Sequence, residues 1–306
     1  MSAGSCDIRA VEETLLRCPA AIKPYVDNIL QSGIAVIPAS LPMELCDRVR
    51  EGFVNFTRKN AGIFDQNRDR DGHYPRIVNL HTAYTALFDL FHLNGKALAL
   101  QDFLFGRETA LYTSLYYERG SAQDIHRDTP YFATKPEYQY FGMWVALEDT
   151  DECNGPLIIV RRGHLIPEFD RETIARRFYP DLSTIDPGSD ELFNAYQAEV
   201  NRKCEELGLV TEKLCVRKGD TVIWHAQAPH GGAAIRDLKR TRHSIVMHTT
   251  PLGVPVYHQD VFFNPSKPVS DQAPWRYVEV NSRKYADFRD VSFGHVRTYA
   301  TSEFMS

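Results

Sequence analysis

Residues 109–117 read Thr-Ala-Leu-Tyr-Thr-Ser-Leu-Tyr-Tyr, a run of β-branched and aromatic side chains that favours a β-strand. Similar runs follow it along the chain and end at turns such as Asn154-Gly155-Pro156 and Lys218-Gly219-Asp220. The further predicted strands are Tyr138–Glu148, Leu157–Val160, Thr221–Trp224 and Thr241–Thr250. Because no helix alternates with these strands, the pattern predicts a mainly β fold with flanking helices, either an antiparallel sandwich or a jelly roll.

Helices are predicted on the N-terminal side of this strand-rich region. Residues 10–32 read as short helices, and residues 33–38 read as a short apolar strand. Ser40 is then predicted to cap a helix, because a Ser side chain can accept a hydrogen bond from the first free N–H groups. The apolar residues of that helix recur at helical spacing: Leu45, Val49 and Phe53. Residues 84–105 repeat the pattern, with a break at Asn94-Gly95.

A helical insertion, at about residues 165–215, is predicted to interrupt the strands. Within it, Asp190–Leu207 reads as one helix whose apolar face comprises Phe193, Tyr196, Val200, Cys204 and Leu207. A connection this long in a compact domain is often a functional lid, and a helix packed on the outer sheet is the alternative. The whole chain, residues 1–306, is predicted to be one domain with its core at about 33–250.

The composition is that of an ordinary globular protein, with 35 basic and 40 acidic residues and a formal net charge of −5. A weakly acidic chain has no general attraction for nucleic acid or for an anionic membrane. No stretch is long and apolar enough to span a membrane, and Met1–Leu16 lacks the apolar segment of a signal peptide. The six scattered cysteines fit free thiols in a reducing compartment, so a cytoplasmic protein is predicted.

Four residues carry the strongest chemical signal: His126 and Asp128 as a His-x-Asp pair, His230 far downstream, and Arg242 shortly after it. Two imidazoles and one carboxylate on one face of a metal leave the opposite face open, which is the ligand set of non-haem Fe(II) oxygenases. A guanidinium nearby can bind a carboxylate at two points. These residues therefore predict an iron site that holds a dicarboxylate co-substrate.

Two competing patterns are less suitable. A second His-x-Asp pair, His258-Gln259-Asp260, is followed only by His295, which is too near in sequence to lie across a sheet, so surface chemistry is predicted for it. Arg240 is a rival for the carboxylate-binding role, but Arg242 lies next to the Ser-Ile-Val-Met segment of residues 244–247, as the pattern requires. The remaining histidines, among them His225, His243 and His248, are interpreted as core residues or as supports for the ligands.

The chain resembles the phytanoyl-CoA dioxygenase (PhyH) family of Fe(II)/2-oxoglutarate oxygenases over about residues 33–250. The motifs that carry the resemblance occur in the family's order, and they are residues 33–45, Asp151–Leu157 with Arg162-Gly163-His164, Gly219 to His230, and Arg242–Ile245. One such motif alone is weak evidence for the family, whereas four motifs in the family's order are specific evidence for it. The resemblance implies a double-stranded β-helix, which is a jelly-roll core, with N-terminal helices.

The family resemblance also implies the roles of individual residues. Iron would be held by His126, Asp128 and His230, and 2-oxoglutarate would bind this Fe(2+) with its distal carboxylate on Arg242. Ser244, Trp144 and Thr113 are candidates for further contacts with 2-oxoglutarate. With O2 as the second co-substrate, the implied reaction is hydroxylation of an unactivated C–H bond with release of succinate and CO2. The carboxylate ligand favours hydroxylation over halogenation, since the related halogenases lack it.

The substrate is less readable than the reaction. The polar stretch from Asn67 to His81 precedes the core, and Arg76 or His81 is predicted to contact substrate or co-substrate. A small polar metabolite or natural-product intermediate is expected, since no residue pattern specifies a CoA ester. The oligomeric state is not indicated by the sequence.

Two other functions remain open at this point. One is a cupin-like metalloenzyme that uses its metal as a Lewis acid without oxygen, and it would not need Arg242. The other is a non-catalytic jelly roll that binds a ligand or a protein and buries its histidines by chance. It predicts no metal uptake.

Overall fold

The structure is a computed structural model that describes residues 15–305. The helices with both ends in this range are α1 Lys23–Ser32, α2 Met43–Lys59, α3 Ala61–Phe64, α4 Ala86–His92, α5 Gly95–Phe105, α6 Arg171–Ala175, α7 Asp190–Glu206 and α8 Gln259–Phe262. The strands are β1 Ile34–Ile37, β2 Ile77–Val78, β3 Thr109–Tyr117, β4 Ala133–Thr134, β5 Phe141–Ala146, β6 Leu157–Val160, β7 Thr211–Leu214, β8 Thr221–His225, β9 His230–Gly232, β10 Ser244–Pro251, β11 Val256–Tyr257, β12 Tyr277–Val280, β13 Arg283–Ala286, β14 Asp290–Phe293 and β15 Arg297–Ala300.

Most strands belong to one large sheet with the order β1-β8-β5-β10-β3-β2-β14-β15. At its centre, Val246 of β10 lies opposite both Trp144 of β5 and Leu115 of β3. Neighbouring strands along this order are antiparallel, and β13 adds a single parallel pairing to β3. A small antiparallel sheet has the order β7-β6-β9. A third sheet is the antiparallel pair β11-β4, and these mostly antiparallel sheets with flanking helices confirm the predicted fold class.

A buried apolar cluster joins the two sheets. Trp144, Trp224 and Val246 come from the large sheet, and Leu157 and Ile159 come from β6 of the small one. Gly142 of β5 is needed here, because a Cβ at this position would lie only 2.0 Å from the Trp224 ring. The missing side chain lets the indole lie across β5, and this position proves important for the site.

The outer face of the large sheet is covered by N-terminal helices. Leu45, Val49 and Phe53 of α2 are buried, as their spacing predicts, and the Phe53 ring centroid lies 4.4 Å from that of Tyr116. The predicted capping role of Ser40 is wrong. Pro42 occupies the N-cap of α2, while the Ser40 hydroxyl donates to the Gly219 carbonyl 3.0 Å away. Part of the predicted helical region 10–32 lies in residues 1–14, outside the described range. The same is true of most of Met1–Leu16, for which no signal peptide is predicted.

The strands and helices elsewhere follow the sequence patterns with shorter bounds. Helices α4 and α5 are separated just before Gly95, as predicted, and β3 matches the predicted range. Strand β5 begins later than the predicted Tyr138, and β10 begins at Ser244 rather than Thr241. The delay in β10 has a local cause, because the Arg242 N–H donates to the Glu118 carbonyl and the His243 N–H to the Glu148 carboxylate.

The insertion packs as a small core of its own. In α7, Leu192, Tyr196 and Val200 are fully buried, and they pack with residues of α6 and α8. Of the predicted apolar face, Tyr196, Val200 and Cys204 are buried in this core, whereas Phe193 is half-buried outside it and Leu207 is 51% exposed. The C-terminal part of the range 165–215 is strand β7, which pairs with β6, so the insertion ends before a strand of the core.

The insertion is anchored to the chain between His126 and Asp128. The Arg127 side chain is fully buried and donates from Nη2 to the carbonyls of Gly163 at 2.8 Å and Ile166 at 3.3 Å. Its backbone exchanges two hydrogen bonds of 2.9 Å with the Gln197 amide of α7. The insertion therefore contacts the segment that carries two of the predicted metal ligands.

Candidate functional site

The two halves of the predicted ligand set meet in the small sheet. His126 and Asp128 follow the loop after β3, and His230 is the first residue of β9. His126 and His230 form an isolated antiparallel bridge, in which the N–H of each donates to the carbonyl of the other at 2.8 and 2.9 Å. This backbone pairing brings side chains that are distant in sequence to one point.

Their side chains form a compact group with suitable geometry for a metal ion. One ligand atom from each of His126, Asp128 and His230 lies within 4.8 Å of the others, and all three residues are buried. The Nε2 atom of each histidine is 3.4 Å from an Asp128 carboxylate oxygen. The group leaves one side towards a large cavity, as a ligand set with open positions requires.

The ring orientation of both histidines is fixed from behind. His126 Nδ1 lies 2.7 Å from the Asp124 carbonyl, and His230 Nδ1 lies 3.0 Å from the Ala228 carbonyl. A carbonyl can only accept, so each Nδ1 carries the proton and each Nε2 keeps its lone pair for a metal. Both lone pairs are thus directed to the same point.

The Asp128 carboxylate is also held by neighbours. The Tyr140 hydroxyl donates to Asp128 Oδ2 at 2.7 Å, and Trp224 Nε1 donates to the same oxygen at 3.3 Å. Burial alone would raise the pKa of Asp128, but the adjacent His230 and His126 hold it well below its usual range. The group is therefore anionic and fit to bind a cation.

Behind Tyr140, the hydrogen-bond chain continues to His248 of β10. The Tyr140 hydroxyl accepts from His248 Nδ1, and the Phe132 ring stacks on the His248 imidazole with centroids 4.2 Å apart. The interpretation of His248 as a residue that supports a ligand agrees with this contact, whereas His243 binds the Tyr116 hydroxyl away from the group.

Arg242 is a buried cation without an anionic partner. Its Nη1 donates to the Gly155 carbonyl at 2.7 Å, its Nε has no partner, and its Cζ lies 5.4 Å from the Trp144 ring centroid. Burial lowers the pKa of Arg242 to about 10. Within residues 15–305, no carboxylate forms an ion pair with it, and such a desolvated guanidinium is expected to take up an anion. This is the fit that a carboxylate of 2-oxoglutarate would complete.

The rival arginine behaves differently. Arg240 lies at the surface with 38% of its side chain exposed, and its Nη1 is 2.7 Å from Asp151 Oδ2. An exposed and already paired arginine has little to offer a co-substrate. The geometry supports Arg242, as the sequence pattern predicts.

The metal-ligand group opens into a cavity of about 1000 Å³. Besides the ligand group, Arg242, Trp144, Thr113 and Arg76 line this cavity. The Thr113 hydroxyl donates to the Asn79 side-chain carbonyl at 2.6 Å. Ser244 is fully buried with an unpartnered hydroxyl, but it is not part of the cavity lining.

His81 does not reach this cavity. It lies in a short 3-10 helix, where it is 1% exposed and its Nδ1 is 2.7 Å from the Ser114 hydroxyl. The preceding Asn79 has a φ of 56°, and this left-handed turn directs the chain into the core. Of the two candidates in the polar stretch, only Arg76 is therefore in a position to meet a bound molecule.

The second His-x-Asp pair is separate from the metal-ligand group. His258 is exposed and binds the Tyr131 carbonyl, while Asp260 forms an ion pair with Lys267 at 2.6 Å. Its predicted surface role agrees with this placement, although His258 borders the cavity.

Several cavity residues were not predicted. Trp224 supports Asp128 from β8, and Tyr140 does so from the position just before β5; their sequence context resembles that of any buried strand. The C-terminal segment carries no recognisable motif, yet it contributes a wall of the cavity through Phe288, Asp290, Gly294 and His295. For Tyr140 and Trp224, the only available sequence signal is a hydrogen-bonding aromatic residue in an otherwise apolar stretch.

The five described cysteines, Cys18, Cys46, Cys153, Cys204 and Cys215, are free thiols, as predicted, and Cys6 falls outside the described residues. Across residues 15–305, every helix is too short or too polar to cross a membrane.

Comparisons with known proteins agree with the site. The sequence profile of the family described as phytanoyl-CoA dioxygenase (PhyH) matches residues 29–244, and the chain belongs to this family. It is thus an oxygenase-type enzyme, as its motifs predict. A search of curated proteins found no significant match.

Several solved structures that are distant in sequence have a similar fold. One is the epimerase SnoN in complex with Fe3+, alpha-ketoglutarate and nogalamycin RO, with 18% identity, a TM-score of 0.59, and coverage of 88% of this chain and 99% of that chain. Another is the carbocyclase SnoK from nogalamycin biosynthesis, with 16% identity, a TM-score of 0.59, and coverage of 86% and 95%. A third is apo EctD from S. alaskensis, with 13% identity, a TM-score of 0.54, and coverage of 88% of each chain. These likenesses confirm the jelly-roll oxygenase fold.

Proposed function

We propose that this chain is an Fe(II)/2-oxoglutarate-dependent dioxygenase that hydroxylates an unactivated C–H bond of a small molecule, with release of succinate and CO2. The observation that carries the proposal is the convergence of His126 Nε2, His230 Nε2 and the Asp128 carboxylate within 4.8 Å. Their donor set suits ferrous iron and leaves coordination positions open. The SnoN complex, which contains Fe3+ and alpha-ketoglutarate in the same fold, supports this choice of cofactor and co-substrate.

We assign iron to His126, Asp128 and His230, and the distal carboxylate of 2-oxoglutarate to Arg242. When bound there, iron would activate O2, which is the oxidant for the C–H bond, while 2-oxoglutarate would be oxidised by the same O2 to succinate and CO2. The protein orients the co-substrate through the Arg242 guanidinium and excludes water with buried rings such as Trp144.

Smaller roles are proposed for two neighbours. Thr113 lines the cavity, but its hydroxyl already donates to Asn79, so it can only accept a further hydrogen bond from a bound molecule. Ser244 Oγ has no partner and lies two residues from Arg242, so it remains a candidate for contact with the same carboxylate.

We also propose that the chain acts as one domain. The cavity takes side chains from the core, from the insertion through Phe193, and from the C-terminal segment through Phe288. A pocket assembled from all three parts supports a single catalytic unit with one small-molecule substrate.

The two alternative functions explain the same residues less well. A Lewis-acid metalloenzyme without oxygen has no use for the desolvated Arg242, and a non-catalytic jelly roll has no use for a buried ligand group that opens into a cavity of about 1000 Å³. The epimerase and carbocyclase titles among the similar structures concern other outcomes of the same class of enzyme. The product must therefore be identified by mass.

The decisive experiment adds Fe(II) and 2-oxoglutarate to the protein under nitrogen. A weak visible charge-transfer band is expected, and it should be absent in His126→Ala. Admission of oxygen should then release succinate even without substrate. A folded protein that binds Fe(II) and 2-oxoglutarate without such a band, or that releases no succinate, contradicts the proposed function.

A further inference from the structure

The cavity beside the metal-ligand group has walls rich in aromatic rings. Tyr131 and the insertion residue Phe193 pair with ring centroids 4.8 Å apart. Tyr112 of β3 meets the C-terminal residue Phe288 edge-on at 5.3 Å. All four rings line the cavity, and they come from segments that are distant in sequence.

Such walls determine what kind of molecule the cavity accommodates. Aromatic side chains bury large apolar areas and favour stacked or edge-on contact with other rings, with about 0.5–1.5 kcal/mol for each ring pair beyond simple burial. A volume of about 1000 Å³ is large for a compact polar metabolite and suits a molecule with ring systems. Of the two expected substrate classes, a small polar metabolite or a natural-product intermediate, these walls favour a ring-bearing molecule of the second kind.

One cation in the cavity remains unused by the proposed co-substrate. Arg76 precedes β2, and its backbone is fixed by the hydrogen bond from the Gly294 N–H at 2.9 Å. Its half-buried side chain lines the cavity next to Tyr117. Burial raises the pKa of the Tyr117 hydroxyl, and the adjacent Arg76 guanidinium moderates that rise.

Arg76 has no acidic partner in the described part of the chain. The ion pairs of residues 15–305 include Arg68 with Asp65 on the same loop, but none with Arg76. Asp190 and Asp290 also line the cavity, and neither is within ion-pair distance of Arg76. An unpaired guanidinium that faces a binding cavity offers a fork of donors to a carboxylate or a similar anion.

Resting on the proposed function, we propose that the substrate is an acid with a planar ring system. Its rings lie against Tyr131, Phe193, Tyr112 and Phe288, and its anionic group binds Arg76. The two arginines then divide the work, because Arg242 receives the anion of the co-substrate and Arg76 that of the substrate.

The test uses 2-naphthoate, its neutral carboxamide, and hexanoate as probes. The protein is loaded with Mn(II), which prevents turnover, and with 2-oxoglutarate, and binding is measured by calorimetry. In the unmodified protein, 2-naphthoate should bind at least tenfold more tightly than either other probe. The preference over the carboxamide should disappear in Arg76→Gln and persist in Arg68→Gln, a matched arginine on the same loop that pairs with Asp65.

The ring contacts are tested by one variant and one control variant, both in the insertion. Phe193→Ala should weaken 2-naphthoate binding at least fivefold, whereas Phe178→Ala, at a position that is 39% exposed and outside the cavity, should not. Equal binding of the acid and its carboxamide, or unchanged selectivity in Arg76→Gln, would overturn the proposal. It is also overturned if Arg76→Gln loses 2-oxoglutarate binding, since Arg76 then belongs to the co-substrate.

Failure of this inference is distinguishable from failure of the proposed function. The Fe(II)/2-oxoglutarate absorption band is recorded first on the same protein without any probe. A missing band rejects the proposed function, whereas a normal band with no preference for the ring acid rejects only the substrate class.

Discussion

The Tyr140 hydroxyl donates a 2.7 Å hydrogen bond to Asp128 Oδ2, the carboxylate oxygen that also lies 3.4 Å from His230 Nε2. Because Tyr140 is itself fixed by His248 and by the stacked Phe132 ring, it limits rotation of the carboxylate before any metal binds. Partners of this kind usually account for about a ten- to hundredfold difference in metal affinity.

Tyr140→Phe should therefore weaken Fe(II) binding by about ten- to hundredfold while the fold persists, since Trp224 still donates to the same oxygen. The measurement is competition with a chelator under nitrogen. Tyr138→Phe is the matched control, because Tyr138 also donates to a carboxylate, that of Glu168, but away from the ligand group. Equal losses in the two variants would mean that the hydroxyl does not act on the metal site.

Arg242→Met should have opposite effects on stability and on binding. Removal of a desolvated cation without a counter-ion is expected to leave the metal-free protein as stable as before or more stable. Affinity for 2-oxoglutarate should fall at least about thirtyfold, from the roughly 2 kcal/mol or more that a buried charge pair contributes. Thermal unfolding of the metal-free protein measures the first effect, and unfolding with Mn(II), with and without 2-oxoglutarate, measures the second.

Arg240→Met is the control for the carboxylate assignment, since this arginine pairs with Asp151 at the surface. It should keep the stabilisation that 2-oxoglutarate gives the unmodified protein. If Arg242→Met keeps that stabilisation as well, the carboxylate binds elsewhere.

Arg127→Met should loosen the insertion. The change removes the donors to the Gly163 and Ile166 carbonyls and the cation nearest the half-buried Glu168, at a cost of about 3 kcal/mol. Hydrogen exchange should accelerate in residues 165–200 more than in β5 or β10. Arg161→Met removes a partly exposed ion pair with Glu212. This control should change neither the stability nor the hydrogen exchange of residues 165–200. Uniform acceleration along the whole chain would contradict a local anchoring role.

His81 predicts a pH dependence of stability. Burial lowers its pKa from 6.5 to about 3, so the unfolded chain binds a proton that the folded protein does not. Its contribution to stability is complete above pH 6.5 and declines as the pH falls from 6.5 towards 3. Below 6.5 the loss approaches about 1.4 kcal/mol per pH unit.

Urea unfolding of the metal-free protein at pH 7.5 and 5.5 measures this dependence. The difference between the two pH values should shrink in His81→Gln and remain in His258→Gln, a change at an exposed position. An unchanged difference in His81→Gln would show that other groups dominate the acid sensitivity.

The residues that could be predicted from sequence are those whose role follows from local pattern. His126 and Asp128 form a short motif, and the position of Arg242 directly before a strand separates it from Arg240. Tyr140 and Trp224 could not be found in this way, because their meeting at Asp128 depends on how β5 and β8 pair across the sheet. The pairing register follows from the whole fold rather than from neighbours in sequence.

The wrong prediction for His81 and the missing prediction for the C-terminal strands also have physical reasons. His81 belongs to a stretch dense in polar groups, and only the left-handed turn at Asn79 directs it into the core. The C-terminal strands β12 to β15 have four residues each and several exposed positions, so their alternation of apolar and polar residues is too brief to read.

The cavity wall formed by Phe288, Asp290, Gly294 and His295 lies beyond residue 244, where the match to the family profile ends. The ligands and Arg242 lie before that point, together with Arg76 and Phe193, so one wall of the cavity is encoded outside the segment that carries the metal-ligand group. Replacement of residues 288–300 by the matching segment of a homologue should therefore change which molecules bind while the metal-ligand group stays intact.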